Sequence, residues 1–536
     1  MHKFEPKQNN RLSQLAISLL IGLWAMAPGW ANALPVGGEI VSGAGSIEQS
    51  TQDMVIQQES QRLITNWQGF SIGSAESVQF IQPNSDAIAL NRVIGVDPSI
   101  ILGKLSANGQ EFLSNPSGVV FGAGAVVDVH GLLATTLNIS DADFLKDNYL
   151  FSQDPARQVA IMNSGAINAV RYVGLAAPMV ENSGSIIVAD LGSVALASGT
   201  EMTLDFNGDG LISFAVTGAE GRLLRDRINN SGLIRANGGQ VLLTSKSAGD
   251  VIGNVINHSG IIEAQTVEKK DGKIILSSGD QGIVNVSGLL DAPEVFITTD
   301  TVAVTPKNFL STNNGNMNIV ANHLDFKGDV DTGTGDFLFT LAEGGDMNIS
   351  PGNNPTGAIG NNDIRHINAE NLSLETDGNI NVKGITEEDT AGIQNSIILS
   401  SGGGINFEDA ISIFPALKLF AVNDINVNAG ITTTQGDFVA VADSDGNGAG
   451  DFNVAPGVVI ASARDIDVSG VNINADESSF SGAGDLILNG DVVGGATTGG
   501  GTQGGGTQPF ADSILQGSLG TFLTDFFQNG GSGDDC

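Results

Sequence analysis

Asn115-Pro116-Ser117-Gly118-Val119-Val120-Phe121-Gly122, continued by Ala123 to Leu137, is the stretch on which the reading of the fold turns. Two turn-forming pairs, Asn-Pro and Ser-Gly, open it. Beyond them Val127 and Val129 alternate with Asp128 and His130. A period of two places the valines on one face and the polar pair on the other, as in a half-buried strand. Upstream, Asn84-Ser85-Asp86 leads into Ile88 to Val93 in the same way. Turn followed by short strand, twice over, predicts β architecture.

Downstream the chain repeats itself. Ser164-Gly165-Ala166-Ile167-Asn168-Ala169 recurs at Ser183 to Val188, Ser231 to Ala236, Ser259 to Ala264 and Ser287 to Ala292. Three copies are followed by a glycine and a second apolar run, at Gly192, Gly239 and Gly272. Such a unit cannot bury its apolar face alone, but stacked on a neighbour it shares a continuous core. The spacing predicts coils of about 20 to 25 residues, with loops extruded between some copies, the Arg-rich Gly221 to Asn230 among them. From residue 301 to 490 the repetition loosens. Asp346-Met347-Asn348-Ile349, Asn379-Ile380-Asn381-Val382, Asp424-Ile425-Asn426-Val427 and Asp465-Ile466-Asp467-Val468 keep the alternation. Asn, Asp and Gly suit the corners, Ile and Val the inward seats. The predicted class is all-β, a parallel β-helix, right-handed by the general preference for right-handed crossovers.

The turns at Asn84 to Val93 and Asn115 to Gly122, with Asn66-Trp67-Gln68-Gly69-Phe70-Ser71-Ile72-Gly73 and Leu133-Ala134-Thr135-Thr136-Leu137, resemble the amino-terminal secretion domain of the filamentous haemagglutinin family. These are the exoproteins of two-partner secretion, and the high-molecular-weight adhesin branch is the nearest in pattern. The family usually has Asn-Pro-Asn-Gly-Ile where this chain has Asn115-Pro116-Ser117-Gly118-Val119. Ser117 keeps a small turn-compatible side chain, and Val119 keeps the apolar plug. The resemblance implies a right-handed β-helix with an amino-terminal cap. It also implies a secretion motif comprising Asn84, Asn91, Arg92, Asn115, Pro116, Ser117 and Gly118. The implied partner is an outer-membrane β-barrel transporter with periplasmic recognition modules.

The 536 residues carry a formal charge of −36, 72 glycines and one cysteine. The acidic balance opposes contact with nucleic acid or anionic lipid. Hydrophobic residues, at 41%, suffice for a core. Lys3, Lys7 and Arg11 precede an apolar run, Leu15 to Trp30, and Ala31-Asn32-Ala33 is an A-x-A site. Residues 1–33 therefore read as a secretory signal cleaved between Ala33 and Leu34. The expected organisation continues with a secretion domain at 34–300 and a β-helix passenger at 301–490. A Gly/Thr/Gln linker at 491–508 and a capping or anchoring tail at 509–536 follow. In the tail Leu515, Leu519, Phe522, Leu523, Phe526 and Phe527 fall at helical spacing. Cys536 is a candidate anchor through intermolecular pairing.

Motifs of chemistry are sparse. Gly69-Phe70-Ser71-Ile72-Gly73 matches the G-x-S-x-G nucleophile pattern but lacks the helix that should follow. Asp205 to Gly210 and Asp443 to Gly448 match the first half of a calcium loop. The twelfth position of each is a valine, Val216 or Val454, where a bidentate Glu is needed. Structural turns are the favoured reading, weak calcium binding the alternative. His2, His130, His258, His323 and His366 show no metal-ligand spacing. The expectation is a non-enzymatic exoprotein without a cofactor. It would reach the cell surface or medium through the periplasm and act as an adhesin on a host or neighbouring-cell receptor or glycan. The alternatives are a secreted β-helix enzyme degrading polysaccharide and a pore-forming haemolysin.

Overall fold

The computed structural model describes residues 34–153, 159–206, 212–216, 227–245, 254–267, 270–279, 282–351 and 359–493. The signal-peptide reading of 1–33, most of the expected linker and the tail with Cys536 lie outside these residues. Two compact units make up the chain, Met1–Lys246 with Ile262–Lys270 and Ser247–Ile261 with Asp271–Cys536.

The first unit opens with a cap. β1 (Glu39–Ser42) and β2 (Gly45–Gln49) run antiparallel to β4 (Arg62–Trp67) and β3 (Asp53–Gln58). All later pairings in the coils of this unit are parallel. β5 (Ser77–Ile81) stacks on β3, and β6 (Ile88–Val93) on β4. β7 (Ser99–Ile101), β8 (Lys104–Ala107) and β9 (Gln110–Ser114) complete the next coil. β10 (Val119–Phe121) lies on β7, and the long β11 (Val126–Thr135) lies on both β8 and β9. Three strand columns result, and these are the faces of a parallel β-helix.

The Ser-Gly repeats start strands, and the strands stack in register. Ile167 pairs with Ile186 and Ile186 with Ile234, and all three are fully buried. Burying each such side chain contributes ~1.5–3 kcal/mol. The corner glycines are required by close stacking. A Cβ on Gly184 would lie 2.2 Å from the Gly165 carbonyl, and one on Gly232 would lie 2.1 Å from that of Gly184. One expectation is corrected here. Ile228–Asn230, assigned to an extruded loop, is a strand paired with Val180–Asn182. Asn230 is buried, accepting a hydrogen bond from Asn182, which in turn accepts one from Asn163.

Excursions leave the coils of this unit. After β11 the chain forms a helical turn, Asp141–Leu145, capped by Ser140, and a strand, Leu150–Ser152. That strand pairs with the antiparallel hairpin Glu201–Phe206 and Ile212–Val216. Phe144, Tyr149 and Phe151 gather edge-on or tilted around Phe112 of β9, at centroid distances of 5.5–6.4 Å. This cover explains why Leu132, Leu133 and Ala134 are all buried, where simple alternation would expose one of them.

The second unit is built from the same parts. Ile397, Leu417 and Phe438 are successive rungs, 20 and 21 residues apart by their numbers. Its most regular feature is a column of half-buried asparagines. Asn381 donates to Asn348, Asn406 to Asn381, Asn426 to Asn406, Asn453 to Asn426 and Asn474 to Asn453, at 2.6–3.0 Å. Asp465 to Val468 keeps the same polar-apolar alternation, with Ile466 and Val468 buried, but in another column. Ile466 stacks on Phe438 in a neighbouring column, and Ile473 stacks on Phe452 in the asparagine column. The last described strand, Leu486–Val493, also runs three residues past the boundary expected at 490.

Candidate functional site

The Asn115 turn is held by its own side chain. Asn115 Oδ1 accepts the Ser117 N–H at 2.8 Å, closing an Asx turn, and Asn115 O accepts the Gly118 N–H at 3.0 Å. Asn115 Nδ2 donates to Asp97 O at 3.1 Å and to Ser99 Oγ at 2.9 Å, tying the turn to the preceding coil. Asn115 is fully buried, whereas Pro116 and Ser117 are half-buried at the surface. Gly118 has φ +110°, a conformation disfavoured for any side chain. Val119 and Phe121 then plug the core. The Asn84 turn is an exposed counterpart, with Asn84 Oδ1 accepting the Asp86 N–H at 3.0 Å.

Asn91 and Arg92, adjacent on β6, serve opposite sides of the sheet. Asn91 is buried, accepts the Trp67 indole N–H at 3.0 Å and donates to Glu111 Oε2 at 2.9 Å. Glu111 is wholly enclosed. Burial pushes its carboxyl well above the usual carboxylate range, against the opposing effect of the Asn91 amide. Arg92 points outward to Ile139 O at 2.8 Å and to Asp141 at 2.7 Å, fastening the excursion. Arg62 does the same through Asp147 at 2.6 Å. Burial raises the Asp147 carboxyl, but its bonds from Tyr149 and Arg62 outweigh this and hold it below the ordinary value. Glu111, Arg62 and Asp147 escaped the sequence reading, since none belongs to a repeated or turn-forming pattern.

The other motifs take structural places. Ser71 Oγ accepts the Ile100 N–H at 3.0 Å, and Phe70 packs against Trp67 at 5.4 Å. Asp443 accepts the Gly448 N–H through both oxygens, and Asp445 accepts that of Asn447, so these carboxylates brace their own loop. The centre of the other calcium-like loop, 207–211, lies outside the described residues. His130 is on β11, His258 on the strand Asn254–His258, and His323 opens the strand His323–Phe326. His366 ends the helical turn Asn361–Arg365 and meets Asp329 at 2.8 Å.

With this geometry in place, residues 31–292 match the TPS secretion domain. The chain is a two-partner secretion exoprotein. Proteins carrying this domain are secreted across the outer membrane of Gram-negative bacteria, and the exoprotein belongs to that secreted or cell-surface class. It is 30% identical over 380 residues to the heme/hemopexin-binding protein of Haemophilus influenzae (strain ATCC 51907 / DSM 11121 / KW20 / Rd). That alignment covers 68% of the exoprotein and 38% of the relative. A second Haemophilus influenzae heme/hemopexin-binding protein is 30% identical over 298 residues, covering 51% and 31%. The exoprotein therefore spans well under half the length of these relatives, whose names describe binding rather than catalysis. Among solved structures it is similar to the HMW1 secretion domain from Haemophilus influenzae. That comparison has a TM-score of 0.47 and 22% identity, and covers 85% of the exoprotein and all of that chain.

Proposed function

We propose that the secretion domain is recognised by a dedicated outer-membrane β-barrel partner through periplasmic modules. On this reading the basic and apolar amino terminus directs export to the periplasm, and the surface at Pro116 and Ser117 and at Asn84 is what the partner reads. The observation that supports it is the division of labour in the Asn115 turn: a buried side chain fixes the shape, and the next two residues present it. The chain then crosses unfolded and winds into coils outside. Each inward Ile or Leu contributes ~1.5–3 kcal/mol on burial, so a finished coil does not slide back. The absence of cysteine before Cys536 suits such passage, because no disulfide loop can form.

Replacing Asn115 and Pro116 together should leave the protein in the periplasm of cells expressing it with its transporter, as read by fractionation and immunoblotting. An Ile431→Ala variant, destabilised in the second unit, serves as the control for stability alone. Secretion of the double variant at the wild-type level refutes the reading. Outside the cell the exoprotein acts in adhesion, presenting its half-buried polar columns to a surface receptor or glycan. A second reading, haem or hemopexin binding, is supported by the names of relatives aligned over most of the chain. Titration of haem against the secreted protein, followed in the Soret band, discriminates the two.

A further inference from the structure

The last described coil of the second unit leaves apolar seats open. Leu486–Val493 stacks on Ile466–Asn474, and its far edge pairs with no strand among the described residues. Leu486 lies over Ile466, Leu488 over Val468 and Val492 over Ile473. In the coil beneath, all three seats are buried. In the last strand Leu486 and Leu488 are half-buried and Val492 is 38% exposed. Phe480, over the fully buried Ile460, is half-buried as well. The first coil of the first unit is closed by β1 and β2, which run antiparallel to it. An open strand edge with apolar seats is a template for another chain, and natural sheets cover such edges with a helix or loop.

The next apolar segment after Val493 lies in the tail. Leu515, Leu519, Phe522, Leu523, Phe526 and Phe527 share one stripe at helical spacing, with Ser518, Thr521, Thr524 and Asp525 on the opposite side. Wound as a helix, Leu515 to Phe527 is about 20 Å long, and the eight residues of the edge strand span about 26 Å. Between them, Gly494 to Gln508 consists of Gly, Thr, Gln and a single Ala. A segment of that length and composition has a root-mean-square reach of about 20 Å, enough to return the tail to the strand it has just left. A short connection of this kind holds its own tail near the face at about millimolar concentration. A second copy has no such advantage, and it brings a formal charge of −36 against its like.

We propose that Leu515 to Phe527 folds back as an amphipathic helix over the open end of the second unit, seating its apolar stripe on Leu486, Leu488 and Val492. The occupant of this face is the chain's own tail, and once closed the coils offer no free edge for another copy to extend.

The test is hydrogen exchange read by mass spectrometry on the secreted full chain under reducing conditions, with sedimentation velocity alongside. Wild type is compared with Leu519→Asp/Phe522→Asp in the tail and with Val492→Asp on the strand. The two variants alter opposite sides of the contact, and both leave the seats beneath, Ile466, Val468 and Ile473, intact. The expected wild type is a monomer whose 515–527 amides exchange at least about tenfold more slowly than in either variant. Amides of Leu486–Val493 should exchange faster in the tail variant too. Exchange of 515–527 at the unstructured rate in the wild type overturns the proposal, as does protection that survives Val492→Asp or an unchanged rate at Leu486–Val493 in the tail variant. Protection that appears only with concentration-dependent association also overturns it, because the tail then covers a second copy.

Discussion

Truncating Asn115 to alanine tests whether one buried amide holds the secretion turn together. The side chain makes three hydrogen bonds, one inside the turn and two to the coil before it. Each is worth about 1 kcal/mol net, and Ser99 Oγ, itself fully buried, loses a donor. The expected loss is therefore about 3 kcal/mol in the stability of the first unit. Trp67 is the only tryptophan after Leu34, it is buried against Phe70, and it lies in the same unit. Its fluorescence reports unfolding of that unit in a chain starting at Leu34. With a slope of about 3 kcal/mol per molar, the urea midpoint should fall by about 1 M. Ser117→Ala, which keeps the Ser117 N–H that Asn115 accepts, should shift the midpoint by less than about a quarter of that, as surface substitutions do. A loss below about 1 kcal/mol for Asn115→Ala, or equal shifts for both variants, would refute the reasoning.

Two further outcomes follow from the same unit. Glu111 has a carboxyl raised by burial, so its proton is bound more tightly in the folded state. Its stabilising contribution is complete below the unfolded carboxylate range and is lost as pH rises through the folded value. Glu111→Gln should therefore match the wild type in thermal stability near pH 4 and exceed it near pH 8, and a constant difference across that range would contradict the assignment. Phe144→Ala removes an enclosed ring from the cluster around Phe112 and should cost about 3–5 kcal/mol. The excursion at 137–152 should then become the first site cut by limited proteolysis, and an unchanged cleavage pattern counts against the cluster as its anchor.

The solenoid was legible because its corners repeat. A Ser-Gly pair fixes where each strand begins, and the apolar seats behind it share one spacing, so the stack at Ile167, Ile186 and Ile234 could be read directly. The excursions were not legible. Leu132 to Ala134 is a run of adjacent apolar residues whose second cover comes from Phe144 and Phe151, contributed by the chain beyond. Ser140 and Asp143 carry a capping signal that went unused. The column that Asp465 to Val468 joins was not legible either. Several columns in a β-helix use the same polar-apolar alternation, and only backbone pairing distinguishes them. Asn453 and Asn474, true members of the asparagine series, sit in local sequences no more regular than that of Asp467. At the secretion motif, the sequence pointed to Asn91 and Arg92 but not to Glu111, which Asn91 meets, nor to Arg62 and Asp147, which fasten the excursion beside Arg92.

The asparagine column has a consequence for how the second unit keeps count. Six identical amides cannot number themselves, because a strand displaced by a whole coil meets the same donor and acceptor it left. Fidelity must come from rungs that differ. Phe407 stands against Phe414 and Phe452 against Phe438, each pair 6.3 Å apart and edge-on. The neighbouring rungs at the same depth are Val382, Val427 and Ile425. A displaced coil would stack a ring where the core has space for an isopropyl group. The amides supply adhesion between layers, and the aromatic rings supply the address.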